Sequence, residues 1–518
     1  MANIATHLFA RALDSAQKTA LIFGSLRLSF AQLHSQVCHL AAALSEAGFG
    51  ADDKLGLMLP SGPEFITFEY AAFTLGGVVV PLNVHYQGNE IEHALSSCEV
   101  EFLTIHAQFL PRLTTEVLDR LPALRRVFVL GDAADRVCGR VVAANTLLRH
   151  DKALSCLTER LADDVALMLH TSATTGKAKG VMLTVGNLQA NYDKTPEWLG
   201  ITGRDRILCA LPLYNTFGLN QCINAMMVTG ATLVLVPRFD VRACLQAIQA
   251  HRCSFLPAVP TMVQKMLNDP GVSQFDLTSV QRLLIGAAPV PAPLLEQVYR
   301  IMGPDTVVMT GYGLTEASAL VSLERTTLDE QGRLHRPRSV GQVLPGMQMQ
   351  VSDENGLELP PGQVGQICIK GPNVMRGYYR HPEQTAQAIV NGWLQTGDLG
   401  VMDAERHFYI VDRKKDLIIR GGQNVYPADI EEVLYGHPAV AEAAAVGKPH
   451  DVLGEVPEAF VALKPGCNAT APELMALCQS RLAYFKVPQE ICILHELPKG
   501  PTGKILRREL RASADALR

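Results

Sequence analysis

Short apolar runs alternate with amphipathic helical segments over most of the chain, and this alternation limits the folds open to it. Residues 30–47 place apolar side chains at helical spacing and end at Gly48, and the apolar run KLGLML follows. The same order recurs in FITFEYAAFTLGGVVVPL, NEIEHALSSCEVEFLTIH, RACLQAIQAHRCSFLPAV and TVVMTGYG. Such short apolar runs are typical of strands buried on both faces. The sequence therefore predicts an α/β fold with helices layered around largely buried sheets.

The pattern changes near residue 337. The segment PRSVGQVLPGMQMQVSDENGLELPPGQVGQICIKG has short apolar runs separated by turn residues, which predicts a β-rich subdomain. Beyond the charged stretch DRKKD at 412–416, the patterns AVAEAAAV, EAFVALK and QEICIL predict strands and PELMALCQSRL predicts a helix, ending near residue 511. We expect an N-terminal domain over residues 1–412 and a C-terminal domain over 413–518, with DRKKD as the hinge.

Charge and cysteine content exclude several classes of partner. Lysine and arginine number 46 against 51 acidic residues, and no block of like charge stands out, so no nucleic acid is expected to bind. The 12 cysteines contain no C-x-x-C pair, which favours reduced thiols over zinc sites or disulfides. No apolar stretch is long enough for a transmembrane segment, and the start lacks a secretory pattern. We expect a cytoplasmic protein, monomeric or homodimeric, that acts on small molecules.

Residues 167–181, LMLHTSATTGKAKGV, have the composition of a phosphate-binding loop that follows a strand. Clustered hydroxyls and free backbone N–H groups bind phosphate oxygens, and Lys177 or Lys179 supplies positive charge. The segment departs from the G-x-x-x-x-G-K-[ST] pattern, because Thr171 replaces the first glycine and Ala178 follows the lysine. An ordinary P-loop ATPase is thereby disfavoured, although such a polar segment alone could also be a surface turn.

Four further motifs lie downstream of this loop. GYGLTE at 311–316, TGDLG at 396–400, the DRKKD stretch and PTGK at 501–504 follow it in order. Together they resemble the ANL superfamily of acyl-CoA synthetases, peptide-synthetase adenylation domains and firefly luciferase. VPLN at 80–83, GAAP at 286–289 and GGQNVYP at 421–427 resemble its 4-coumarate:CoA ligase and fatty acyl-CoA synthetase branch. The resemblance covers nearly the whole chain.

The resemblance implies a fold and a reaction. The fold would be a large N-terminal domain of α/β subdomains plus a β-rich subdomain, followed by a small mobile α+β C-terminal domain, with the site between them. The reaction would be ATP-dependent ligation, in which a carboxylic acid becomes an acyl-AMP and the acyl group then passes to coenzyme A. ATP, Mg²⁺ and coenzyme A are the implied ligands.

The resemblance also assigns residues to the nucleotide. The β- and γ-phosphates would be held by Thr171, Ser172, Thr174, Thr175, Gly176 and Lys179. The rest of the nucleotide site would include Gly286, Ala287, Ala288, Gly311 and Gly313. Tyr312 would stack on adenine, Thr315 would contact the α-phosphate, and Glu316 with Thr171 would hold Mg²⁺. Asp398 would accept hydrogen bonds from both ribose hydroxyls, which suits an ionised carboxylate, and Arg413 would support the same ribose.

The two half-reactions are implied to use different parts of the C-terminal domain. Lys504 would stabilise the charge that develops when the carboxylate attacks the α-phosphate. Arg507, Arg508 and Arg511 nearby are interpreted as a solvated basic helix face. For the second step, Lys415 would be the hinge, and Gly421 and Gly422 would border the thiol tunnel, unless they only form a hairpin turn.

Three positions depart from the family pattern. Ala173 replaces a glycine and Ala178 a proline, both in the phosphate loop. Asn215 in LPLYNTFGL replaces a family histidine that borders the acid or gates its pocket, and it could also be a hydrogen-bonded residue of the pocket wall. Resemblance assigns the rest of the acid pocket to Phe217, Val259, Pro260 and Leu314, together with Gly286 and Ala287. These residues are apolar or small, which favours a fatty or aromatic acid as substrate.

Two other functions remain open from the sequence. An acyl-AMP ligase would load the phosphopantetheine of an acyl carrier protein instead of coenzyme A. A non-catalytic nucleotide-binding homologue is suggested by Ala173, Ala178 and Asn215, whereas the presence of Asp398 and Lys504 argues against it.

Overall fold

The computed structural model describes residues 3–132, 139–171, 178–500 and 505–516, with side chains through Arg511. Up to residue 336 the chain alternates helices and strands, as predicted. The helices are α1 (Thr6–Asp14), α2 (Phe30–Glu46), α3 (Pro63–Thr74), α4 (Gly88–Ser97), α5 (Thr115–Asp119), α6 (Val185–Asn191), α7 (Thr195–Leu199), α8 (Thr216–Gly218), α9 (Ala225–Thr229), α10 (Val241–His251), α11 (Pro260–Leu267) and α12 (Ala292–Met302). Short 3₁₀ segments are Leu110–Arg112, Ala144–Arg149, Val272–Gln274 and Thr315–Ala317, and Leu219–Asn224 is π-helical.

The strands of this region follow the apolar runs. They are β1 (Thr19–Phe23), β2 (Leu26–Ser29), β3 (Lys54–Met58), β4 (Val78–Pro81), β5 (Phe102–His106), β6 (Arg126–Leu130), β7 (Val141–Ala143), β8 (Val165–His170), β9 (Gly180–Thr184), β10 (Arg206–Cys209), β11 (Thr232–Leu235), β12 (Phe255–Ala258), β13 (Arg282–Ile285), β14 (Val307–Leu314), β15 (Ala319–Leu328) and β16 (Leu334–His335).

Helix α2 shows how the local sequence determines an element. Ser29 caps its N-terminus by accepting a hydrogen bond from the Gln32 N–H, and the Gln32 side chain accepts one from the Ser29 N–H. This reciprocal capping box satisfies two backbone donors that a helix start leaves unpaired. The predicted apolar stripe, which includes Leu33 and Val37, is buried. The helix predicted over residues 30–47 is confirmed.

The β-rich region predicted from residue 337 is confirmed as well. It contains β17 (Ser339–Val343), β18 (Gln348–Ser352), β19 (Gly365–Lys370), β20 (Gly377–Tyr378), β21 (Ile389–Val390), β22 (Trp393–Met402), β23 (Phe408–Arg413) and α13 (Pro382–Ala388). These strands do not form an isolated sheet, because β17 pairs with β15 on one side and β23 on the other.

Two sheets carry the N-terminal part. One has the order β18-β19-β22-β23-β17-β15-β14-β13-β12-β10-β11-β1-β2. The strands of the β-rich region and the parallel strands of the α/β region therefore belong to one continuous sheet. The other has the order β20-β9-β8-β4-β3-β5-β6-β7 and is parallel from β8 to β7. Strand β20 brings a segment of the β-rich region onto the edge of this second sheet.

The C-terminal part packs its own smaller sheet, ordered β25-β24-β27-β26 with β28 beside β27. Its elements are β24 (Ile418–Arg420), β25 (Gln423–Val425), β26 (Val440–His450), β27 (Gly454–Leu463), β28 (Glu490–Leu494), α14 (Pro427–Tyr435), α15 (Ala471–Arg481) and α16 (Arg507–Ala516), which extends beyond residue 511. Its buried cores consist of residues from Ile418 onward. In the described part of the chain, no helix has the length and apolar character needed to cross a membrane.

The interpretation of Arg507 and Arg511 as a solvated basic face is wrong. Arg507 Nη2 lies 2.7 Å and 2.9 Å from the two carboxylate oxygens of Glu431. Its Nη1 lies 3.6 Å from Asp416 and 3.8 Å from Asp412, and Arg511 pairs with Asp416. Only Arg508 among the three is exposed. The single helix could not reveal these carboxylates, because they come from the hinge and from α14.

We predict that Arg507→Met destabilises the protein strongly, whereas Arg508→Met does not. The first change leaves Glu431, Asp412 and Asp416 without their shared cation in a largely buried site, which costs roughly 3–5 kcal/mol for a broken buried pair. Urea unfolding of both variants measures the difference. Equal midpoints for the two variants would contradict the assigned network.

Candidate active site

The parallel strands of the larger sheet end at a common edge, where several predicted site residues meet. Asn215 lies in the loop after β10, Val259 follows β12, and Gly286 follows β13. Carboxyl ends of parallel strands are the usual binding edge of α/β sheets. A methyl group added at Gly286 would lie 3.8 Å from Phe217 Cζ and 3.9 Å from the Gly311 carbonyl oxygen. The structure thus brings Phe217, Gly286 and Gly311 together, with Pro260 at the start of α11 and Leu314 at the end of β14.

Backbone conformation at this edge is unusual. Ala287 has φ of +66°, in the left-handed region that costs a residue with a Cβ about 1–2 kcal/mol. Such strain persists only where the surroundings impose it, and it concentrates at functional sites. At Gly313 a Cβ would lie 1.7 Å from the Ala319 carbonyl oxygen, so glycine is required where β14 and β15 approach.

Two hydrogen bonds hold the ends of the predicted phosphate loop together. The Thr171 N–H donates to the Lys179 carbonyl at 3.1 Å, and the Lys179 N–H donates to Thr171 Oγ1 at 3.4 Å. Ser172, Ala173, Thr174, Thr175 and Gly176 lie outside the described residues. A further support, which no local sequence pattern indicated, comes from α4, where His93 Nε2 donates to the Ala178 carbonyl at 2.7 Å.

His170, the residue before the loop, adds no positive charge to it. Burial, assisted by the neighbouring His93, lowers the pKa of His170 to about 4. Its Nε2 lies 3.4 Å from the Cys98 thiol, whose pKa burial raises to about 12. Both side chains are therefore neutral near pH 7, and the described positive charge at the loop comes from Lys179.

Asp398 lies at the centre of a buried polar contact. The Tyr312 hydroxyl donates to Asp398 Oδ2 at 2.5 Å, and Arg413 Nε lies 3.0 Å from Asp398 Oδ1. Asp398 is 5% exposed. Burial and the charge of Asp398 raise the pKa of Tyr312 well above its ordinary value, so the phenol remains a proton donor. The TGDLG, GYGLTE and DRKKD motifs thus meet at one carboxylate.

Glu316 lies in the short helix that follows β14. Its Oε1 accepts a hydrogen bond from the Tyr378 hydroxyl at 3.1 Å, and Lys179 Nζ lies 4.8 Å from the centre of the Tyr378 ring. Glu316 offers carboxylate oxygens and Thr171 a hydroxyl oxygen, and both are hard donors of the kind that Mg²⁺ prefers. Tyr378 was not predicted as a site residue.

The chain leaves the large sheet at the predicted hinge. The Lys414 N–H donates to the Gly397 carbonyl, and the Asp416 N–H donates to that of Arg413, which forms a tight turn around Lys415. Partial desolvation of the Lys415 ammonium, together with the nearby charge of Arg413, lowers its pKa to about 8.

Two other sets of residues were predicted in the C-terminal part: the glycine pair Gly421 and Gly422, and Lys504. Gly421 and Gly422, with φ of +57° and +81°, form the hairpin turn between β24 and β25, as the simpler interpretation expected. Lys504 lies outside the described residues. The flanks of its segment are fixed, because Lys499 and Ile505 form an antiparallel bridge and Lys499 Nζ lies 2.6 Å from Glu442.

Comparison with known families agrees with this arrangement. Residues 8–379 match the AMP-binding enzyme family, and residues 429–504 match the C-terminal domain of AMP-binding enzymes.

Two related proteins align over almost the whole chain. A long-chain-fatty-acid–CoA ligase of Bacillus subtilis is 34% identical, with 95% of this chain and 91% of the relative covered. A feruloyl-CoA synthase of an Amycolatopsis species is also 34% identical, with 97% of each chain covered.

Two solved structures of CoA ligases also superpose on almost the whole chain. An anthranilate CoA ligase in complex with anthranoyl-AMP superposes with a TM-score of 0.91 at 27% identity, covering 99% of this chain and 98% of the other. The o-succinylbenzoate coenzyme A synthetase of Bacillus subtilis, in complex with ATP and magnesium ion, superposes with a TM-score of 0.83 at 30% identity. That superposition covers 97% of this chain and 98% of the other.

We predict that the Lys415 amine becomes reactive at lower pH in the folded protein than in the unfolded chain. Pulsed acylation followed by mass spectrometry should give a labelling midpoint near pH 8 when the protein is folded. In urea the same residue should titrate at about 10.4, the ordinary lysine value. Identical midpoints in both states would show that the hinge does not perturb this amine.

Proposed function

The chain belongs to the AMP-binding enzyme family, and we propose that it is an ATP-dependent, AMP-forming acyl-CoA ligase. The observation that carries the proposal is the buried Asp398, held by Tyr312 and Arg413, in a chain that aligns end to end with CoA ligases. A fixed carboxylate with spare acceptor capacity suits a ribose diol. Its partner Tyr312 directly follows Gly311, which lies near Gly286 and Phe217 of the predicted acid pocket, and this supports neighbouring sites for the nucleotide and the acid.

The reaction has two chemical steps. A carboxylate oxygen of the acid attacks the α-phosphorus of ATP, and pyrophosphate leaves to give acyl-AMP. The thiol of coenzyme A then attacks the acyl carbon, loses its proton, and displaces AMP. The attacking carboxylate is already ionised, so the first step needs no general base from the protein. It needs positive charge and orientation, because two anions must approach each other.

The residues proposed for these tasks follow the family motifs. Thr315 would contact the α-phosphate, the phosphate loop with Lys179 would hold the outer phosphates, and Glu316 and Thr171 would hold Mg²⁺. When bound, the ion would offset triphosphate charge. Lys504 would approach the reacting phosphate; a unit charge about 4 Å away contributes roughly 4 kcal/mol at an effective dielectric near 20.

We propose a domain boundary at residue 412/413 with Lys415 as the pivot. The buried cores from Ile418 onward support a C-terminal unit that moves as one body. Rotation about the turn at Lys415 would exchange the segment of Lys504 for the hairpin of Gly421 and Gly422, which would then face the thiol.

The acid is proposed to be fatty or aromatic. The relatives are named for long-chain fatty acids and ferulic acid, and one solved neighbour holds anthranoyl-AMP. Val259 and Pro260 are buried apolar residues at the strand ends, which fits such acids. Asn215, in place of the family histidine, is proposed to tune the choice among them. Coenzyme A is the proposed acceptor, because the relatives are CoA ligases.

A panel of acids tests the activity. Pyrophosphate release is measured with ATP and Mg²⁺ across fatty, aromatic and amino acids, each with and without coenzyme A. We expect release only with a fatty or aromatic acid, accompanied by acyl-CoA when coenzyme A is present. Acid-dependent release without acyl-CoA would favour a carrier-protein phosphopantetheine as acceptor. No release with any acid would contradict catalysis and favour a nucleotide-binding homologue.

We predict that Lys504→Ala slows acyl-AMP formation by roughly 10²- to 10³-fold, the usual effect of deleting one charge-stabilising donor. Thioester formation from supplied acyl-AMP should remain, since the side chain acts on the phosphate only in the first step. Single-turnover assays measure the rate of each half-reaction separately. Arg508→Ala, at an exposed position of the same segment, is the control. Equal loss in both half-reactions would exclude the assigned role.

A further inference from the structure

Tyr378 lies between two groups of opposite charge in the nucleotide site. Its hydroxyl donates to Glu316 Oε1 at 3.1 Å, and the Lys179 ammonium lies 4.8 Å from the centre of its ring. Lys179 closes the phosphate loop, whereas Glu316 follows β14 of the other sheet. One side chain therefore contacts residues from both sheets.

The backbone fixes Tyr378 in this position. Strand β20 pairs antiparallel with β9, which sets Tyr378 opposite Val181. The Tyr378 N–H donates to Thr385 Oγ1 at 2.9 Å, and the next N–H, that of Tyr379, donates to the Gly180 carbonyl at 2.8 Å. Because the strand is held on both sides of the residue, the ring position follows from the sheet and not from a flexible loop.

The geometry keeps two opposite charges apart that would otherwise attract each other. Among the described residues, no carboxylate lies within 4.0 Å of Lys179 Nζ. The face of an aromatic ring attracts an ammonium without neutralising it, and a phenol proton stabilises a carboxylate without removing its charge. A direct ion pair would instead satisfy both groups before any ligand arrived.

We infer that Tyr378 is a positioning residue that separates Lys179 from Glu316, so that the ammonium remains available to the triphosphate and the carboxylate to Mg²⁺. The inference rests on the proposed function, because it assumes that Lys179 and Glu316 meet ATP and Mg²⁺. Tyr378 was not among the predicted site residues. The role requires tyrosine, because only this side chain offers both an aromatic face and a hydroxyl donor.

The adjacent Tyr379 is a matched control. Its hydroxyl donates to Glu99 at 2.7 Å, and Lys54 Nζ lies 5.6 Å from its ring centre, so it has the same two kinds of partner. Those partners are different residues from Lys179 and Glu316. Tyr379→Phe removes the same atom from the same strand end without touching the proposed contacts.

The test measures ATP binding by calorimetry in the absence of acid, with saturating Mg²⁺ and again with EDTA. Tyr378→Phe should reduce the gain in affinity that Mg²⁺ provides by about tenfold, the order expected for a lost hydrogen bond to a charged group. Affinity in EDTA should be unchanged, since the ring still holds Lys179. Tyr378→Leu should lower affinity in EDTA as well, because Lys179 is then free to pair with Glu316. Tyr379→Phe should change neither value.

Two further variants separate the possible failures. Glu316→Gln should remove most of the Mg²⁺-dependent gain, and adding Tyr378→Phe to it should cost nothing more, because the hydroxyl acts through Glu316. If Glu316→Gln matters but Tyr378→Phe behaves like Tyr379→Phe, the inference is overturned and the proposed function stands. If Glu316→Gln leaves the gain intact, the proposed metal role of Glu316 fails, and the inference fails with it. Thermal unfolding shows that each variant is folded.

Discussion

The ion pair between Asp398 and Arg413 links two strands at the centre of the candidate site. The two residues are directly opposed in the antiparallel pairing of β22 and β23, and Arg413 Nε lies 3.0 Å from Asp398 Oδ1. Tyr312, from β14 of the same sheet, donates to the other carboxylate oxygen. A carboxylate buried in this way is stable only because both partners are present. The register of two strands thus fixes the position of the charge that we assign to the ribose.

Strand β23 connects this site to the C-terminal part of the chain. Successive side chains on a strand point to opposite faces, so Arg413 faces Asp398 while Asp412 faces the other way. Asp412 Oδ2 accepts from the Ala428 N–H at the start of α14, and its Oδ1 lies near Arg507. Adjacent residues at the end of β23 therefore contact Asp398 on one side and the C-terminal part of the chain on the other. The turn at Lys415, which we propose as the pivot, follows immediately.

The helices and strands could be predicted from the sequence, because they depend on local patterns of apolar residues. The stripe of Leu33 and Val37 predicted α2, and the apolar runs predicted the strands whose ends carry Val259 and Gly286. Contacts between segments far apart in the chain could not be predicted from the sequence. His93 and Ala178 are 85 positions apart, and Tyr378 and Glu316 are 62 apart, so no local pattern links either pair. Arg507 was misinterpreted for the same reason, since its carboxylate partners lie in the hinge and in another helix.

Oxygen-isotope transfer shows whether the acid is activated through AMP. The enzyme is incubated with ATP, coenzyme A and a turned-over acid whose carboxylate oxygens are oxygen-18, and the products are analysed by mass spectrometry. Attack of the carboxylate on the α-phosphorus predicts that AMP gains one labelled oxygen while pyrophosphate gains none. Label in inorganic phosphate with ADP as the nucleotide product would mean activation through an acyl phosphate and would exclude an acyl-AMP intermediate.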